Sequence, residues 1–315
     1  MKAQAIVLIP TYNRASILKI TLIHLNKSSG KELFDVCVVD NGSTDETQKV
    51  VESFKNVLYR KESKNRFIAK ALNNAFFQKK LYAKYRYVLI MANDVLVNYR
   101  TAENLIKFME EHPDVGVSGP KHYDWFTNEL LNEGLTINPI TSLLNNNMPS
   151  KIVNNINHFH SCFIVRTDAF KQVGGFRPIL FPMIYEEPDL GNRILKLGYT
   201  IAPCRTAKIW HPIELNKIKV RIPNLQVPKM RLYDSIPKAY LFFRNRIIYM
   251  SLHSRLDEFI IFYALYNPVI FLYYLGSIRK DYLSYALRGI LDGTIFAFSR
   301  NVSFIKNRNK RILHI

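Results

Sequence analysis

Two polar turns, each directly after an apolar run, hold residue types that suit nucleotide binding. The first is Pro10-Thr11-Tyr12-Asn13-Arg14, and the second, about one strand–helix unit later, is Asp40-Asn41-Gly42-Ser43-Thr44-Asp45. An aspartate in such a turn can accept hydrogen bonds from a base or a ribose, and an Asn-Gly-Ser turn lets backbone approach a ligand closely. Both apolar runs are typical of buried parallel strands, and open α/β sheets bind nucleotides at the carboxyl ends of such strands.

Two acidic segments add groups that could do chemistry. Ala92-Asn93-Asp94 follows the apolar run 87–91, and Glu186-Glu187-Pro188-Asp189 opens a helical pattern that ends at Gly198. A carboxylate after a strand suits a divalent metal ion. A carboxylate at a helix N-terminus stays ionised through the helix dipole, which suits a general base. An acidic helix start also stabilises a helix without any catalytic role, but three acids in four residues favour the base.

The elements around these segments alternate between strand and helix as far as about residue 212, which predicts a mostly parallel sheet flanked by helices. We predict two domains, an α/β catalytic domain at 1–212 and a basic, aromatic helical extension at 213–315, joined by Pro-rich chain. Three cysteines without metal-type spacing, Cys37, Cys162 and Cys204, are expected to be buried free thiols in a reducing compartment. The first strand begins close to Met1, which favours a cytoplasmic protein.

The two turns together resemble the openings of the family 2 glycosyltransferases of the GT-A fold, which read as Pro-Thr-Tyr-Asn-Arg and Val-Val-Asp-Asn-Gly-Ser-Thr-Asp. The resemblance reaches about Pro212 and leans toward the rhamnosyltransferase-like branch. It implies that Asp40 contacts the donor base or ribose and that the first turn lines the nucleoside pocket. The family's Asn-x-Gly-x-x-x-x-x-Asn-x-Gly signature is matched by Asn65 and Asn73, with Phe67 and Ala75 where glycines are usual. The donor-binding residues implied are Pro10, Thr11, Tyr12, Asn13, Asp40, Asn41, Asn65, Asn73 and Asn93.

The resemblance also implies a divalent cofactor, Mg²⁺ or Mn²⁺, that bridges the donor diphosphate. Asn93-Asp94 stands where the family has its Asp-x-Asp-like motif, so Asp94 is the expected acidic ligand, while Ala92 takes the place of the first acid. His211 is the candidate second ligand, because the family often has a histidine after its last core strand. For the base, Glu187 falls at the place of the family's catalytic aspartate, and the assignment stays open between Glu187, Glu186 and Asp189.

The C-terminal third is the most basic part of a chain whose net charge is +19. From residue 216 to residue 315, 17 Lys and Arg stand against 5 Asp and Glu, interleaved with long apolar runs. This pattern favours an anionic membrane surface over nucleic acid. Phe259 to Ile278 is uncharged but contains Asn267-Pro268 at mid-length, which predicts an interfacial or re-entrant helical hairpin, with a transmembrane hairpin or a soluble helical cap as alternatives.

The sequence therefore predicts an inverting, metal-dependent hexosyltransferase. It would move a sugar from a nucleoside-diphosphate sugar to a hydroxyl of a lipid-linked saccharide at the cytoplasmic membrane face, in glycan or polysaccharide assembly. One alternative in the same fold is transfer to a polyprenyl phosphate. An alternative of another class is a non-catalytic sugar-nucleotide-binding or scaffold subunit. No nucleic-acid-binding motif is present in the sequence.

Overall fold

The computed structural model describes residues 3–148, 156–211, 235–275, 278 and 280–313. The chain divides into two compact units, one made of Met1–Thr136, Asn145–Pro178 and Glu186–Pro212, the other of Ile137–Leu144, Ile179–Tyr185 and Ile213–Ile315. The predicted domain boundary at 212/213 and the Pro-rich stretch that follows it lie outside the described residues.

The first unit is built on a mixed sheet. Within its described residues the strand order is β3-β2-β1-β4-β10-β6-β11-β5, and β7 pairs with β6 at the side. The four strands β3, β2, β1 and β4 are parallel, while β10 runs antiparallel between β4 and β6. The strands of the chain are β1 (Ala5–Thr11), β2 (Phe34–Asp40), β3 (Val57–Lys61), β4 (Tyr87–Met91), β5 (Leu96–Val97), β6 (Val115–Asp124), β7 (Leu130–Asn132), β8 (Leu135–Ile137), β9 (Leu144–Asn146), β10 (Cys162–Arg166) and β11 (Thr200–His211).

Helices cover both faces of this sheet, as the sequence predicts. Alternate residues of β1 point to opposite faces, so Val7 joins one buried cluster and Leu8 the other. The helices of this unit are α1 (Ala15–Asn26), α2 (Thr47–Glu52), α3 (Phe67–Asn73), α4 (Thr101–Glu111), α5 (Thr167–Gln172) and α6 (Glu186–Leu195). Helices α1 and α4 cover the first cluster, and α3, α5 and α6 cover the second. The predicted α/β fold with a helix-flanked sheet is confirmed.

Strand β11 is longer than the sequence pattern predicts. The apolar run indicates a strand at 200–203, but β11 extends to His211. Its pairing with β6 shifts register between Cys204 and Lys208, and the polar residues at this irregularity hide the continuation. The extension brings the end of β11 level with Asp124 at the end of β6.

The second unit is helical. Its helices are α7 (Ile236–His253), α8 (Leu256–Ile261), α9 (Asn267–Leu275), α10 (Leu283–Ser299) and α11 (Val302–Ile312). Helix α10 approaches α7 closely because Gly289 and Gly293 lack side chains: a Cβ at Gly289 would lie 2.3 Å from the carbonyl oxygen of Tyr240. Arg244 on α7 is fully buried and donates to Leu180 O (2.6 Å) and to Asn309 Oδ1. The helical character predicted for this region is therefore confirmed.

The prediction that Asn267-Pro268 interrupts the helix and forms a hairpin there is wrong. The helix runs from Leu256 to Leu275 because a π-helical turn, Phe262–Tyr266, lies directly before Asn267. The Asn267 N–H donates to Phe262 O, five residues back, and such a widened turn accommodates the proline, which has no N–H to donate. By length and composition this is one helix that could cross a membrane, and 28% of its apolar window is buried within the protein.

Candidate functional site

The turns that follow β1 and β2 are held together by backbone and side-chain hydrogen bonds. Asn41 N donates to Thr11 O (2.8 Å), and Asn13 N donates to Ser43 Oγ (2.9 Å). Asn13, in the left-handed conformation at φ 50°, accepts from Thr44 N with its side-chain oxygen (2.8 Å). These contacts fix both turns at the carboxyl edge of two parallel strands. Pro10 is half-buried and Tyr12 is exposed at the tip of the first turn.

Asp40 is enclosed beneath the second turn. Its side chain is fully buried, one carboxylate oxygen accepts from Ser43 N (2.8 Å), and the other accepts from the Tyr59 hydroxyl. Burial and the Asp40 carboxylate raise the pKa of Tyr59, so the phenol remains a donor. Asp40 therefore holds the turn in shape. Asp45 accepts from the first backbone amides of α1 and α2, Ala15 N (2.9 Å) and Thr47 N (3.1 Å).

The Asn65 segment docks on the second turn. Asn41 Nδ2 donates to Asn65 Oδ1, and Asn41 Oδ1 accepts from Arg66 N. Phe67, which stands where the family signature has glycine, adopts a left-handed φ of 59°. The backbone thus keeps a glycine-like conformation with a phenylalanine side chain, at a cost of about 1–2 kcal/mol for that residue.

Asn73 lies at the other end of α3, and the structure does not bring it to these turns. Its amide donates to Phe176 O (2.9 Å) and accepts from Phe176 N (3.0 Å). Both hydrogen-bonding functions of Asn73 thus hold the turn that follows Gly174-Gly175.

Gly42 is the one position in the second turn that we expect to tolerate no side chain. Its φ is +85°, and a Cβ would lie 2.8 Å from the Lys64 backbone. We predict that Gly42→Ala lowers the free energy of unfolding by about 3 kcal/mol, through left-handed strain and displacement of that backbone. Gly174→Ala is the matched control, because Gly174 has φ +75° with nothing within 4 Å of a Cβ, and it should lose about 1 kcal/mol. Urea denaturation measures both; equal losses would contradict the close approach.

The ends of β1, β4 and β11 meet at Asp94. Arg14 Nη1 donates to Asp94 Oδ2 (2.9 Å), and His211 Nε2 lies 3.1 Å from Asp94 Oδ1. Asn93 Nδ2 donates to Thr11 Oγ1 (2.8 Å), which ties the β4 end to the first turn. The predicted neighbours Asn93, Asp94 and His211 are therefore brought together with Thr11. Burial favours the neutral acid, but the His211 hydrogen bond and the nearby charges of His211 and Arg14 outweigh it and lower the pKa of Asp94.

Asp94 and His211 fit the spacing of two ligands of one divalent ion. Their facing atoms are 3.1 Å apart, and adjacent ligands of an octahedral ion with bonds of about 2.1 Å lie about 3 Å apart. No group of three or more His, Cys, Asp or Glu residues able to hold a metal exists among the residues that the structure describes. Among the described residues, Asp94 and His211 are thus the two that could hold the ion.

Three further histidines surround this edge of the sheet. The His122 ring packs against His211 at 5.5 Å between centroids, and His158 packs against His160 at 5.0 Å. Burial, with the charges of His211 and His160, lowers the pKa of His122 to about 3. Burial likewise lowers the pKa of His158. Both rings are therefore neutral at physiological pH.

The acidic segment at the start of α6 separates into three different environments. Glu187 contacts His160 Nδ1 through one oxygen and accepts from Ser161 N (3.3 Å) through the other. Glu186 is buried, and desolvation together with the charge of Glu187 raises its pKa to about 8. Asp189 is fully buried and accepts from Arg193 Nε (2.9 Å).

Asp189 is part of a buried ion pair that holds α6 in place. Arg193 Nη2 lies 2.8 Å from Asp189, and Arg177 Nη1 lies 3.4 Å from it. Arg193 also donates to Val173 O and Gly175 O, at 2.8 Å each. Removing one partner of such a pair leaves a buried charge without compensation, so the pair ties α6 to the Gly174-Gly175 turn.

Sequence reasoning missed His160, His122 and the contact of Arg14 with Asp94. The sequence signal that could have indicated these histidines is the segment His158-Phe159-His160, which stands shortly before β10. In the antiparallel pairing Cys162 lies opposite Met91, which places the start of β10 beside the end of β4. The sequence does not predict this pairing of β10 with β4. It therefore does not indicate where the histidines lie relative to the other site residues.

Three known proteins illustrate the similarity of this chain. Chondroitin synthase of Escherichia coli is 28% identical over 148 residues, which are 45% of this chain and 21% of that protein. The structure of S. aureus TarS 1-349 in complex with UDP-GlcNAc matches with a TM-score of 0.61 at 16% identity, covering 98% of this chain and 92% of that chain. The mannosyltransferase PcManGT from Pyrobaculum calidifontis, in complex with GDP-Man and Mn²⁺, matches with a TM-score of 0.53 at 15% identity, covering 96% and 88%.

The chain thus spans about a fifth of the length of the chondroitin synthase that it matches. The two solved structures share its fold. The family model for glycosyl transferase family 2 matches residues 6–174, more than half of the 315 residues, and this range contains the turns after β1, β2 and β4. The chain therefore belongs to glycosyl transferase family 2.

Proposed function

We propose that this protein transfers a sugar from a nucleoside-diphosphate sugar to a hydroxyl of a saccharide acceptor, with inversion at the anomeric carbon. The observation that carries the proposal is the meeting of Asp94, Arg14 and His211 beside the two nucleoside-type turns. An acid, a guanidinium and an imidazole in contact are the groups needed to hold a metal-bound diphosphate. A single displacement, in which the acceptor attacks the anomeric carbon directly, gives inversion.

Each group in this arrangement has a separate task. Tyr12, Asn13, Asn41 and the Asp40 turn bind the nucleoside, and Arg14 compensates diphosphate charge. Asp94 and His211 would hold Mg²⁺ or Mn²⁺, which supplies Lewis-acid stabilisation of the leaving diphosphate. PcManGT, solved with GDP-Man and Mn²⁺, supports this assignment of a divalent cofactor.

Of the three acids considered for the base, Glu187 is the one that we assign to proton abstraction, together with the His160 ring that it contacts. Glu186 holds its proton at neutral pH because its pKa is raised to about 8. The oxygens of Asp189 face Arg193 and Arg177 in the interior. Glu187, 18% exposed and in contact with His160, is the acid of the three that remains.

The acceptor we propose is a lipid-linked saccharide in glycan or polysaccharide assembly. The similarity to chondroitin synthase supports polymer assembly, and the basic C-terminal third supports a phosphate-bearing lipid. Transfer to polyprenyl phosphate itself is the alternative within the fold. UDP-GlcNAc, GDP-mannose and, from the resemblance to the rhamnosyltransferase-like branch, a nucleoside-diphosphate rhamnose are the first donors for testing.

The test is transfer of radiolabelled sugar from each donor, with Mg²⁺ or Mn²⁺, to a polyprenyl-linked disaccharide or to polyprenyl phosphate. Label on the disaccharide lipid supports the proposal, and label on polyprenyl phosphate alone favours the alternative. A non-catalytic sugar-nucleotide-binding or scaffold subunit would bind a donor without transferring label to either lipid. A folded protein that binds no donor would overturn the proposal.

We propose further that the second unit rests on the cytoplasmic face of an anionic membrane. Two of its helices lie side by side, since Tyr263 contacts both Thr294 (3.0 Å) and the ring of Phe298 (6.0 Å). Arg255, Lys280 and Arg288 are exposed nearby in sequence, whereas Arg244 and Arg246 on α7 are buried. The most exposed apolar residues of these helices are Leu256, Ile260, Leu265, Val269, Leu272, Leu287, Leu291 and Phe298.

We predict that the full chain sediments with vesicles that contain anionic lipid. The triple variant Ile260→Glu/Val269→Glu/Leu272→Glu should lower this binding at least about tenfold, because apolar burial is lost and each basic residue contributes only about 1 kcal/mol. Leu58→Glu, an exposed leucine of β3, is the control and should bind as before. High-salt or carbonate washing should release the protein from vesicles; retention after both washes would indicate a spanning helix. Failure of the unaltered chain to bind anionic vesicles would contradict the membrane assignment and leave the transferase assignment standing.

A further inference from the structure

We propose that His160 is the catalytic base, and that Glu187 orients it. The inference rests on the proposed glycosyl transfer and assigns the atom that receives the acceptor's proton as His160 Nε2. The carboxylate at the expected base position then acts through an imidazole rather than on the substrate.

The geometry of the pair carries this assignment. One oxygen of Glu187 contacts His160 Nδ1, and the other accepts from Ser161 N at 3.3 Å. Ser161 is in the left-handed conformation at φ 65°, an uncommon one for a serine, and there it gives its N–H to this carboxylate. Both oxygens of Glu187 are thus engaged by the segment that precedes β10.

Exposure points in the same direction. The side chain of His160 is 43% exposed, whereas that of Glu187 is 18% exposed. Because Nδ1 faces Glu187, Nε2 on the opposite side of the ring is the nitrogen left for an acceptor hydroxyl. A carboxylate that fixes the tautomer and orientation of a histidine base is the arrangement of the Ser-His-Asp triad. Glu187 is one methylene longer than the aspartate that is usual at this place in the family. This longer side chain is the one that contacts His160 Nδ1.

The proton and electron balance of the step is simple. The acceptor oxygen forms a bond to the anomeric carbon as the bond from that carbon to the diphosphate oxygen breaks, and the diphosphate leaves with the electron pair. The hydroxyl proton moves to His160 Nε2, and the resulting imidazolium is stabilised by Glu187 through Nδ1–H. Solvent removes the proton after the product leaves.

The charged and titratable groups around His160 set the direction of its pH dependence. Glu187 and Glu186 approach it from α6, His158 from its own segment, and His122 from β6. Desolvation by the surrounding protein lowers the pKa of His160, but the charge and hydrogen bond of Glu187 outweigh it and raise the pKa above the ordinary 6.5. An imidazole base must be neutral, so kcat/KM should rise with pH through this raised pKa.

His160→Asn separates the two possible roles. An asparagine amide can occupy the place of Nδ1–H and still donate to Glu187, but it has no counterpart of Nε2. If His160 accepts the proton, turnover should fall by about 10²–10⁴-fold with donor binding and melting temperature unchanged. His24→Asn, an exposed histidine on α1, is the control. His160→Ala should recover turnover when free imidazole is added.

The experiment is a pH profile of sugar transfer by the wild type and these variants. We expect an acid limb above pH 6.5 in the wild type, inactive His160→Asn, and rescue of His160→Ala by imidazole. A wild-type acid limb near the ordinary glutamate pKa of about 4.3, or wild-type turnover in His160→Asn, would overturn the inference while sugar transfer by the wild type upholds the proposed function. If His160→Asn fails to fold, the wild-type acid limb decides alone. Absence of transfer in the folded wild type with every donor would overturn both.

Discussion

Asp94→Ala should abolish metal-dependent donor binding and lower sugar transfer by at least about 10²-fold. Asp94 is the acid at which three strand ends converge, and it contacts Arg14 and His211. A bound metal stabilises developing charge by several kcal/mol, and each 1.4 kcal/mol corresponds to about tenfold in rate. Titration of UDP-GlcNAc and GDP-mannose with and without Mn²⁺, followed by transfer assays, measures both effects.

Glu110→Ala is the matched control for this prediction. Glu110 is a carboxylate on α4 in a surface pair with Arg86 at 3.3 Å, and exposed pairs contribute little to stability. The control should bind and transfer as the wild type does. Full activity of Asp94→Ala with unchanged Mn²⁺ dependence would contradict the metal assignment.

Glu187→Gln should lower turnover by about 10²–10⁴-fold while donor binding persists. The neutral amide keeps the shape and hydrogen-bonding reach of the side chain. It can neither take up a proton nor stabilise a positively charged His160 on the neighbouring segment. The prediction therefore holds whichever member of the pair contacts the acceptor. Single-turnover transfer and donor titration measure the two properties separately.

Asp189→Asn serves as the comparison, because it alters an acid of the same segment in a different environment. Its carboxylate is fully buried and pairs with Arg193 and Arg177, so its loss should appear first as a lower melting temperature. If Asp189→Asn folds with wild-type stability but does not turn over, while Glu187→Gln is active, the base is Asp189. Loss of donor binding in Glu187→Gln would instead indicate a structural role for that segment.

Strands β1, β2 and β4 could be predicted because they are buried on both faces. β1, β2 and β4 consist almost entirely of buried apolar residues, and such runs stand out in a sequence. Burial of all three cysteines, also predicted, follows from their positions in β2, β10 and β11. The end of β11 was missed because Arg205, Thr206 and Lys208 interrupt the apolar pattern at the register shift.

Only those parts of the site that lie within single turns could be predicted from the sequence. The turns after β1, β2 and β4 converge because their strands are parallel neighbours, which the alternation of strand and helix indicates. His160 is close to Glu187 because β10 runs antiparallel beside β4, and a pairing between strands distant in sequence leaves no local signal. In the second unit, the burial of Arg244 leaves no local signal in the sequence, because its partners Leu180 and Asn309 are 64 and 65 residues away.

The edge formed by β1, β2 and β4 is expected to bind a nucleoside-diphosphate sugar with a divalent ion. Thermal-shift measurements on the wild type against UDP-GlcNAc, GDP-mannose and nucleoside-diphosphate rhamnose, each with Mg²⁺ and with EDTA, test it most directly. A donor at 100 times its dissociation constant should stabilise the fold by about 2.7 kcal/mol, with Mg²⁺ only, and the stabilisation should be absent in Asp94→Ala. This expectation would be contradicted if none of these donors raised the melting temperature of the folded wild type. A melting temperature raised equally with EDTA and in Asp94→Ala would contradict it as well.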